Sequence, residues 1–156
     1  MINLKHFFQS EAMCGPASLK MVLDYYGVSV SERKIIRLSG ALKEKGSSTK
    51  GLVKAAKSLG FKVVTKENSS LEDLKVFVKK KTPVIVDWFL EDDGHYSVVV
   101  DIDEKKIILF DPAFKGKARK MPADKFLRIW FDFSGNFIKN KKALILRQLL
   151  AVTPKK

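Results

Sequence analysis

The chain has 156 residues with a formal net charge of +13, because 30 Lys and Arg residues outnumber 17 Asp and Glu residues. The 46% hydrophobic share and the low Gly and Pro content predict one globular domain over residues 1–156 and exclude a disordered chain. The longest stretch without a charged residue is eight residues, 12–19, which excludes a transmembrane helix, and the N-terminus lacks the apolar core of a secretory signal.

The cysteine and histidine counts narrow the chemistry further. One cysteine cannot form an intrachain disulfide, which fits a reducing compartment, and we expect a cytoplasmic protein. Two histidines and one cysteine are too few for a catalytic zinc site of the usual kind. We therefore expect no metal and no cofactor.

The positive charge is spread over most predicted elements, for example in the runs 79–81, 115–120 and 139–142. No zinc finger and no aromatic-rich strand of an RNA-binding type accompanies it. We therefore expect a solvated lysine-rich surface and no specific nucleic-acid site. An electrostatic binder of nucleic acid or membrane is an alternative, and its binding would weaken steeply as salt rises.

The first half of the chain has helical periodicity. One apolar face predicts a helix that ends near Gly27 and carries Leu19, Val22, Leu23 and Tyr26. Capping-box spacing predicts two further helix starts, at Ser29–Glu32 and at Ser69–Glu72. The helix that starts at Ser29–Glu32 carries Ile35, Leu38 and Leu42. Residues 46–49 open another helix, and residues 61–66 are expected to form a short strand.

The second half of the chain changes to strand-like runs. The apolar runs 83–89, 95–102 and 106–111 are separated by short polar turns and predict an antiparallel meander. A helix is expected around Phe126, and residues 142–152 could close the fold as a strand. Helices first and an antiparallel sheet second indicate an α+β fold, with N-terminal helices packed on a C-terminal sheet.

The only cysteine, Cys14, lies where the first helix is expected to begin. Pro16 suits the first turn of a helix, and Gly15 permits a close approach by backbone or substrate. The positive end of the helix dipole favours the thiolate, which is the nucleophilic form of cysteine. A buried cysteine is usually an inert small hydrophobe, so a catalytic role needs further groups.

A nucleophilic cysteine needs a base, and the candidates are His6 and His95. His95 follows a Gly-containing turn and begins an apolar strand, whereas Asp111 ends the neighbouring strand. A carboxylate there would orient the imidazole. Each of these residues alone is more often structural, but the combination favours catalysis.

The strand register decides whether His95 and Asp111 share a face. Direct pairing of the two requires three turn residues, 102–104. A two-residue turn would shift the register by one and place Asp111 on the other face, unless a β-bulge restored the phase. The functional argument therefore predicts direct pairing or a bulge, with Val99 and Leu109 on the face of His95.

The motifs together resemble a known family. Q-x-x-x-x-C-G-P-A-S-L at the first helix, followed by GHYSVVV and FDPA, is similar to the papain-like double-glycine leader peptidases, which process bacteriocin precursors. The resemblance extends over nearly the whole chain. Members linked to transporters often carry an acidic residue directly before the cysteine, where this chain has Met13.

The resemblance implies a papain-like cysteine peptidase fold and a cysteine endopeptidase that cleaves leader segments, after Gly-Gly in many members, from small peptide precursors. It implies that Cys14 is the nucleophile, that His95 is the base and that Asp111 orients His95. Gln9 would donate its amide to the oxyanion, beside the backbone N–H of Cys14. The expected partners are a peptide precursor and an ABC exporter.

Other functions fit the same residues. A papain-like amide hydrolase or acyltransferase could use the same triad on a non-peptide substrate. A non-catalytic peptide-binding module could share the fold, although such a module would usually lose the thiol or the histidine, and this chain keeps Cys14 and His95.

Overall fold

The computed structural model describes residues 1–155, and Lys156 lies outside the described residues. Four of the five helices begin in the first half of the chain and seven of the eight strands lie in the second half, which confirms the predicted α+β class. The helices are α1 Cys14–Tyr25, α2 Glu32–Ser39, α3 Thr49–Ser58, α4 Leu71–Lys79 and α5 Ala123–Ile129. The strands are β1 Phe61–Lys66, β2 Val84–Leu90, β3 Asp93–Ile102, β4 Lys106–Phe110, β5 Ala118–Pro122, β6 Phe131–Phe133, β7 Leu144–Leu146 and β8 Gln148–Pro154.

Six strands form an antiparallel sheet in the order β1-β8-β2-β3-β4-β5, and β6 pairs with β7 in a separate ribbon. The predicted meander is confirmed as β2, β3 and β4. Helices α1 and α4 pack on β2 and β3, so their apolar faces are covered by the centre of the sheet. Within residues 1–155, every helix is too short or too polar to cross a bilayer.

Local signals placed the helix starts to within one or two residues. Helix α2 is capped by Ser31 rather than by Ser29, and the capping box of α4 joins Ser70 to Asp73, one residue beyond the predicted pair. A cap of this kind contributes about 1 kcal/mol, which is too little to separate neighbouring serines by spacing alone. Leu42 lies outside α2, because the chain leaves the helix at Gly40 in a left-handed conformation.

The C-terminal third departs most from expectation. Residues 142–152 do not form one strand, because Arg147 has a φ of 47° and divides β7 from β8. The sequence pattern also did not predict strands β5 and β6. These strands are short and half-exposed, so they lack the apolar alternation that marks a buried strand.

The β3–β4 pairing settles the predicted register. Ile102 faces Ile107 at the turn, whereas Val99 faces Leu109 further along, and an irregularity between Val99 and Asp101 takes up one residue. Direct pairing of residues 95 and 111 is therefore wrong, and the predicted bulge is confirmed. Because the bulge restores the phase, His95 and Asp111 lie on the same face of the sheet as Val99 and Leu109.

Candidate active site

Cys14 is the first residue of α1, as its neighbours predicted. Its backbone N–H has no acceptor within the helix, and no acidic side chain in the first turn opposes the positive end of the helix dipole. The side chain is partly exposed and lies at an open cleft. A thiol in this position is accessible to a substrate in the cleft.

Packing requires glycine at position 15, which the sequence did not show. A Cβ on Gly15 would overlap the side chain of Ser47 and press on Leu52. Glycine therefore brings the loop before α3 against the first turn of α1. That loop forms one wall of the cleft beside Cys14.

The structure brings His95 and Asp111 together. His95 is 8% exposed, and its Nε2 lies 2.6 Å from Oδ1 of the fully buried Asp111. The indole of Trp88, directly opposite on β2, packs edge-on against the imidazole at 5.6 Å between centroids. The ring is therefore held at one nitrogen and on one face, which leaves Nδ1 for another partner.

Two neighbours determine the charge of the imidazole. Burial alone would lower the pKa of His95, but the hydrogen bond that His95 donates to Asp111 and the adjacent Cys14 outweigh it and raise the pKa to about 9. His95 is therefore protonated at neutral pH. Cys14 and Asp111 therefore act on the same ring.

Asp111 has more partners than the sequence indicated. Its Oδ2 accepts a hydrogen bond from Nε of Arg119, and its Oδ1 accepts one from the backbone N–H of Ala113 at 2.9 Å. Burial would raise the pKa of Asp111, but His95 and Arg119 lower it. Arg119 belongs to the run 115–120, which the sequence analysis assigned to solvated surface charge, and no sequence signal set it apart from its neighbours.

The second histidine has a structural position. Nε2 of His6 donates to the backbone carbonyl of Asp111 at 2.7 Å, and its ring packs against Phe110. This contact joins the N-terminal segment to the end of β4. Of the two candidate bases, only His95 shares the cleft with Cys14.

Gln9 lies at the same cleft as Cys14. Its backbone N–H donates to the carbonyl of Pro112 at 2.9 Å, and its amide Nε2 donates to the carbonyl of Ser10 at 3.1 Å. Its Oε1 is buried and has no hydrogen-bond partner among residues 1–155. The Gln9 side chain is thus positioned by the loop that also contacts the Asp111 segment.

The cleft has a volume of about 740 Å³ and contains two carboxyl groups that the sequence analysis missed. Asp87 on β2 is 1% exposed and shares a hydrogen bond with Asp132 on β6. Burial, followed by the charge of Asp132, raises the pKa of Asp87 to about 9, and burial also raises that of Asp132. Asp87 sits inside an apolar run, where a strand pattern gives it no distinguishing signal. Among the described residues, no three His, Cys, Asp or Glu side chains are grouped to hold a metal ion.

Sequence comparisons match residues 5–142 to the family described as the Peptidase C39 family. An uncharacterized protein of Methanothermobacter marburgensis is 36% identical over 128 residues, which cover 80% of this chain and 79% of that protein. The Lactococcin transport/processing ATP-binding protein LcnC-like of Lactococcus lactis subsp. lactis is 32% identical over 126 residues. That match covers 80% of this chain but only 17% of the Lactococcus protein.

A solved structure has the same fold. The peptidase domain of Streptococcus ComA, described as a bi-functional ABC transporter involved in quorum sensing, superposes with a TM-score of 0.76 at 25% identity. The match covers 99% of this chain and 100% of that domain. The papain-like peptidase fold that the motifs imply is therefore confirmed.

Proposed function

Because this chain belongs to the Peptidase C39 family, we propose that residues 1–156 form one peptidase domain that cleaves leader segments from small peptide precursors. Family membership confirms the class predicted from the sequence, a cysteine peptidase. The proposal concerns the substrate, the residues that act on it and the partners.

One observation carries the proposal. An accessible thiol at a helix N-terminus lies in an open cleft beside an imidazole whose far nitrogen is 2.6 Å from a buried carboxylate. This is the geometry that a thiolate–imidazolium nucleophile requires. Action on a peptide precursor is supported by the Lactococcus relative, whose name assigns it transport and processing of lactococcin. Cleavage after Gly-Gly is proposed from the resemblance of the motifs to the double-glycine leader peptidases.

In the proposed reaction, Sγ of Cys14 attacks the carbonyl carbon of the scissile bond. The C–N bond breaks as His95 gives its proton to the leaving amine, and a thioester remains on Cys14. His95 then takes a proton from water, whose oxygen attacks the thioester; the C–S bond breaks, the acid is released, and the Cys14 thiolate and the protonated His95 are restored. Asp111 holds the imidazole in orientation throughout, so it acts as a positioning residue.

Gln9 is proposed to stabilise the oxyanion together with the backbone N–H of Cys14. For this role its Nε2 must exchange the Ser10 carbonyl for the substrate oxygen, a change of partner within the same loop. An oxyanion donor acts mainly on charge that develops in the transition state. Gln9→Ala should therefore lower kcat by about a hundredfold and leave KM nearly unchanged. A loss confined to KM would make Gln9 a substrate-binding residue instead.

The direct test replaces Cys14 with alanine and follows the cleavage of a panel of Gly-Gly leader peptides by mass spectrometry. Wild type should cut after the Gly-Gly pair, and Cys14→Ala should be folded and inactive. Asp124→Asn serves as the control, because Asp124 is exposed on α5 and makes only a local contact with the next backbone N–H. Activity that survives in folded Cys14→Ala would refute the proposed nucleophile. Hydrolysis of small acyl esters or amides, with no peptide cut, would indicate an amide hydrolase or acyltransferase.

The proposed partners are the peptide precursor and an ABC exporter, and the proposed location is the cytoplasm, where precursors are made. The support is that the Lactococcus and Streptococcus relatives are described as transport proteins. Affinity purification of the Cys14→Ala variant from its host should retain an uncleaved precursor. Recovery of nucleic acid alone, released by salt, would support the electrostatic alternative.

A further inference from the structure

The proposed mechanism leaves the two carboxyl groups of Asp87 and Asp132 unused, although both lie at the cleft with Cys14 and His95. Asp87 is nearly completely buried, whereas Asp132 is partly exposed. The two share a hydrogen bond, and Oδ1 of Asp132 also accepts from the backbone N–H of Phe133 at 2.7 Å. Asp132 is therefore fixed in place at the cleft surface, with Asp87 behind it.

Gly94 shows how close this pair lies to the proposed chemistry. A Cβ on Gly94 would overlap the carboxyl group of Asp132. Gly94 is the residue directly before His95 on β3. The Asp132 carboxyl therefore lies against β3 one residue before His95, on the other face of the strand, and both residues line the same cleft.

The pair lacks a cation. Among the residues that the structure describes, neither carboxyl group forms an ion pair, and Oδ1 of Asp87 has no hydrogen-bond partner although it is buried. A buried acceptor without a partner costs free energy. The chain carries 30 Lys and Arg residues, so a neutralising partner would be easy to supply from within the fold.

The charge around the cleft points the same way. Five acidic residues line it, against two lysines and the protonated His95, in a chain with a net charge of +13. The acidic residues are Glu44, Glu67, Asp87, Asp93 and Asp132. One of the two lysines, Lys43, already pairs with Glu11 at 3.1 Å. Acidic residues thus outnumber basic ones at the cleft, although basic residues outnumber acidic ones in the whole chain.

From these observations we propose that Asp87 and Asp132 form a subsite for a cationic side chain, lysine or arginine, of the peptide substrate close to the bond that is cut. Asp132 contacts the ammonium or guanidinium group directly, and Oδ1 of Asp87 supplies a second acceptor. The subsite rests on the proposed function, because it assigns a specificity to the same cleft.

A cation explains the pair better than a neutral donor does. A substrate N–H would satisfy Oδ1 of Asp87 but would not compensate the charge of the Asp132 carboxylate. A positive group satisfies the acceptor and also favours the ionised form of both carboxyl groups. The side chains present do not group to hold a metal ion within residues 1–155, so a cationic residue of the peptide is the chemistry that fits.

The test measures binding and turnover separately. Peptides with a Gly-Gly pair carry a single lysine at each flanking position in turn, and each is matched by a peptide with norleucine, which has a similar length and no charge. Dissociation constants are measured with Cys14→Ala by calorimetry, and kcat/KM is measured with wild type. At one position, lysine should be favoured by about tenfold in both measurements, as expected for a hydrogen bond to a charged group.

Asp132→Asn should reduce the preference for the lysine peptide over the norleucine peptide from about tenfold to nearly none, because asparagine keeps the shape of the side chain and removes the charge. Asp124→Asn, with the same change of charge on α5, should keep the preference. If Asp132→Asn does not fold, Asp132→Ser replaces it, since the hydroxyl can still accept from the N–H of Phe133. Equal binding of lysine and norleucine at every position, or a preference that survives in folded Asp132→Asn, would overturn the inference.

The outcomes separate the subsite from the proposed function. Cleavage after Gly-Gly without any preference for lysine would leave the peptidase intact and refute the subsite. Lysine-dependent binding to Cys14→Ala that is lost with Asp132→Asn, in the absence of cleavage by wild type, would support the subsite and refute the peptidase.

Discussion

Asp111 and Asp87 are both aspartates and both almost fully buried, 0% and 1% exposed. At neutral pH, however, Asp111 is ionised and Asp87 is protonated. Asp111 contacts His95 and Arg119, and its pKa is lowered. Asp87 contacts Asp132, and its pKa is raised to about 9. Burial opposes ionisation at both positions, so the difference comes from the neighbours.

The comparison shows how one cleft can hold two carboxyl groups with different uses. An ionised carboxylate behind His95 can orient an imidazolium, whereas a protonated carboxyl group beside a second carboxylate can ionise when a cation binds from outside. The order of strands brings this about. Asp111 follows β4, where the β5 residue Arg119 is close, and Asp87 lies on β2, where β6 supplies Asp132.

The largest effect should come from removing the charge of Asp111. Asp111→Asn should reduce kcat/KM by about a hundredfold or more, because the imidazole loses the acceptor that orients it and stabilises its charge. The measurement is steady-state kinetics on a Gly-Gly peptide, with Asp124→Asn as the control. A loss below fivefold in a folded variant would show that Asp111 does not position His95.

Arg119→Met should have the next largest effect, and it should act on stability. Removing one partner of a buried charged group leaves that charge uncompensated. Because the Arg119 side chain is 29% exposed, solvent moderates the loss, and we expect about 2 kcal/mol in the free energy of unfolding. Urea denaturation at pH 7 measures it. An unchanged midpoint would mean that His95 alone compensates Asp111.

Asp87→Asn should change stability in the opposite direction. The pKa of Asp87 is raised from 3.8 to about 9, so the folded state keeps a proton that the unfolded state loses between these values. Wild-type stability therefore falls as pH rises across this window. Asn removes that loss, and we expect a gain of about 1 kcal/mol at pH 7.

The window between pH 4 and 6.5 separates Asp87 from His95. The pKa of His95 is raised from 6.5 to about 9, so its contribution to stability is complete below pH 6.5 and is lost as pH rises toward 9. Denaturation curves from pH 4 to 6.5 should be flatter in Asp87→Asn than in wild type. Identical slopes in the two proteins would show that Asp87 titrates normally.

The smallest effect concerns the pH profile of activity. Because the pKa of His95 is raised to about 9, the imidazolium should persist through neutral pH, and kcat/KM should begin to fall only near pH 9. The same fall in kcat/KM near pH 9 is expected in Asp87→Asn, since Asp87 does not contact the imidazole of His95. A fall that begins near pH 6.5 would show that neither Asp111 nor Cys14 raises the pKa of His95.

Much of the fold followed from local patterns. The strand at residues 61–66 and the three meander strands were predicted within one or two residues, because their apolar runs end at clear turn residues. The strand at 142–152 was wrong, because the left-handed Arg147 has no glycine to signal it. Residues 118–122 were missed because a half-exposed strand lacks apolar alternation.

The sequence by itself determined the family, the helix-tip thiol of Cys14 and the group of residues that includes His95 and Asp111, because these depend on short motifs and their order. The tertiary structure decided the phase of His95 and Asp111, since a bulge near Val100 leaves no mark in a run that is apolar on both faces. It also decided the charge of each buried carboxyl group. A pKa depends on which side chains lie within a few ångströms, and Arg119 and Asp132 reach those positions only when distant strands pair.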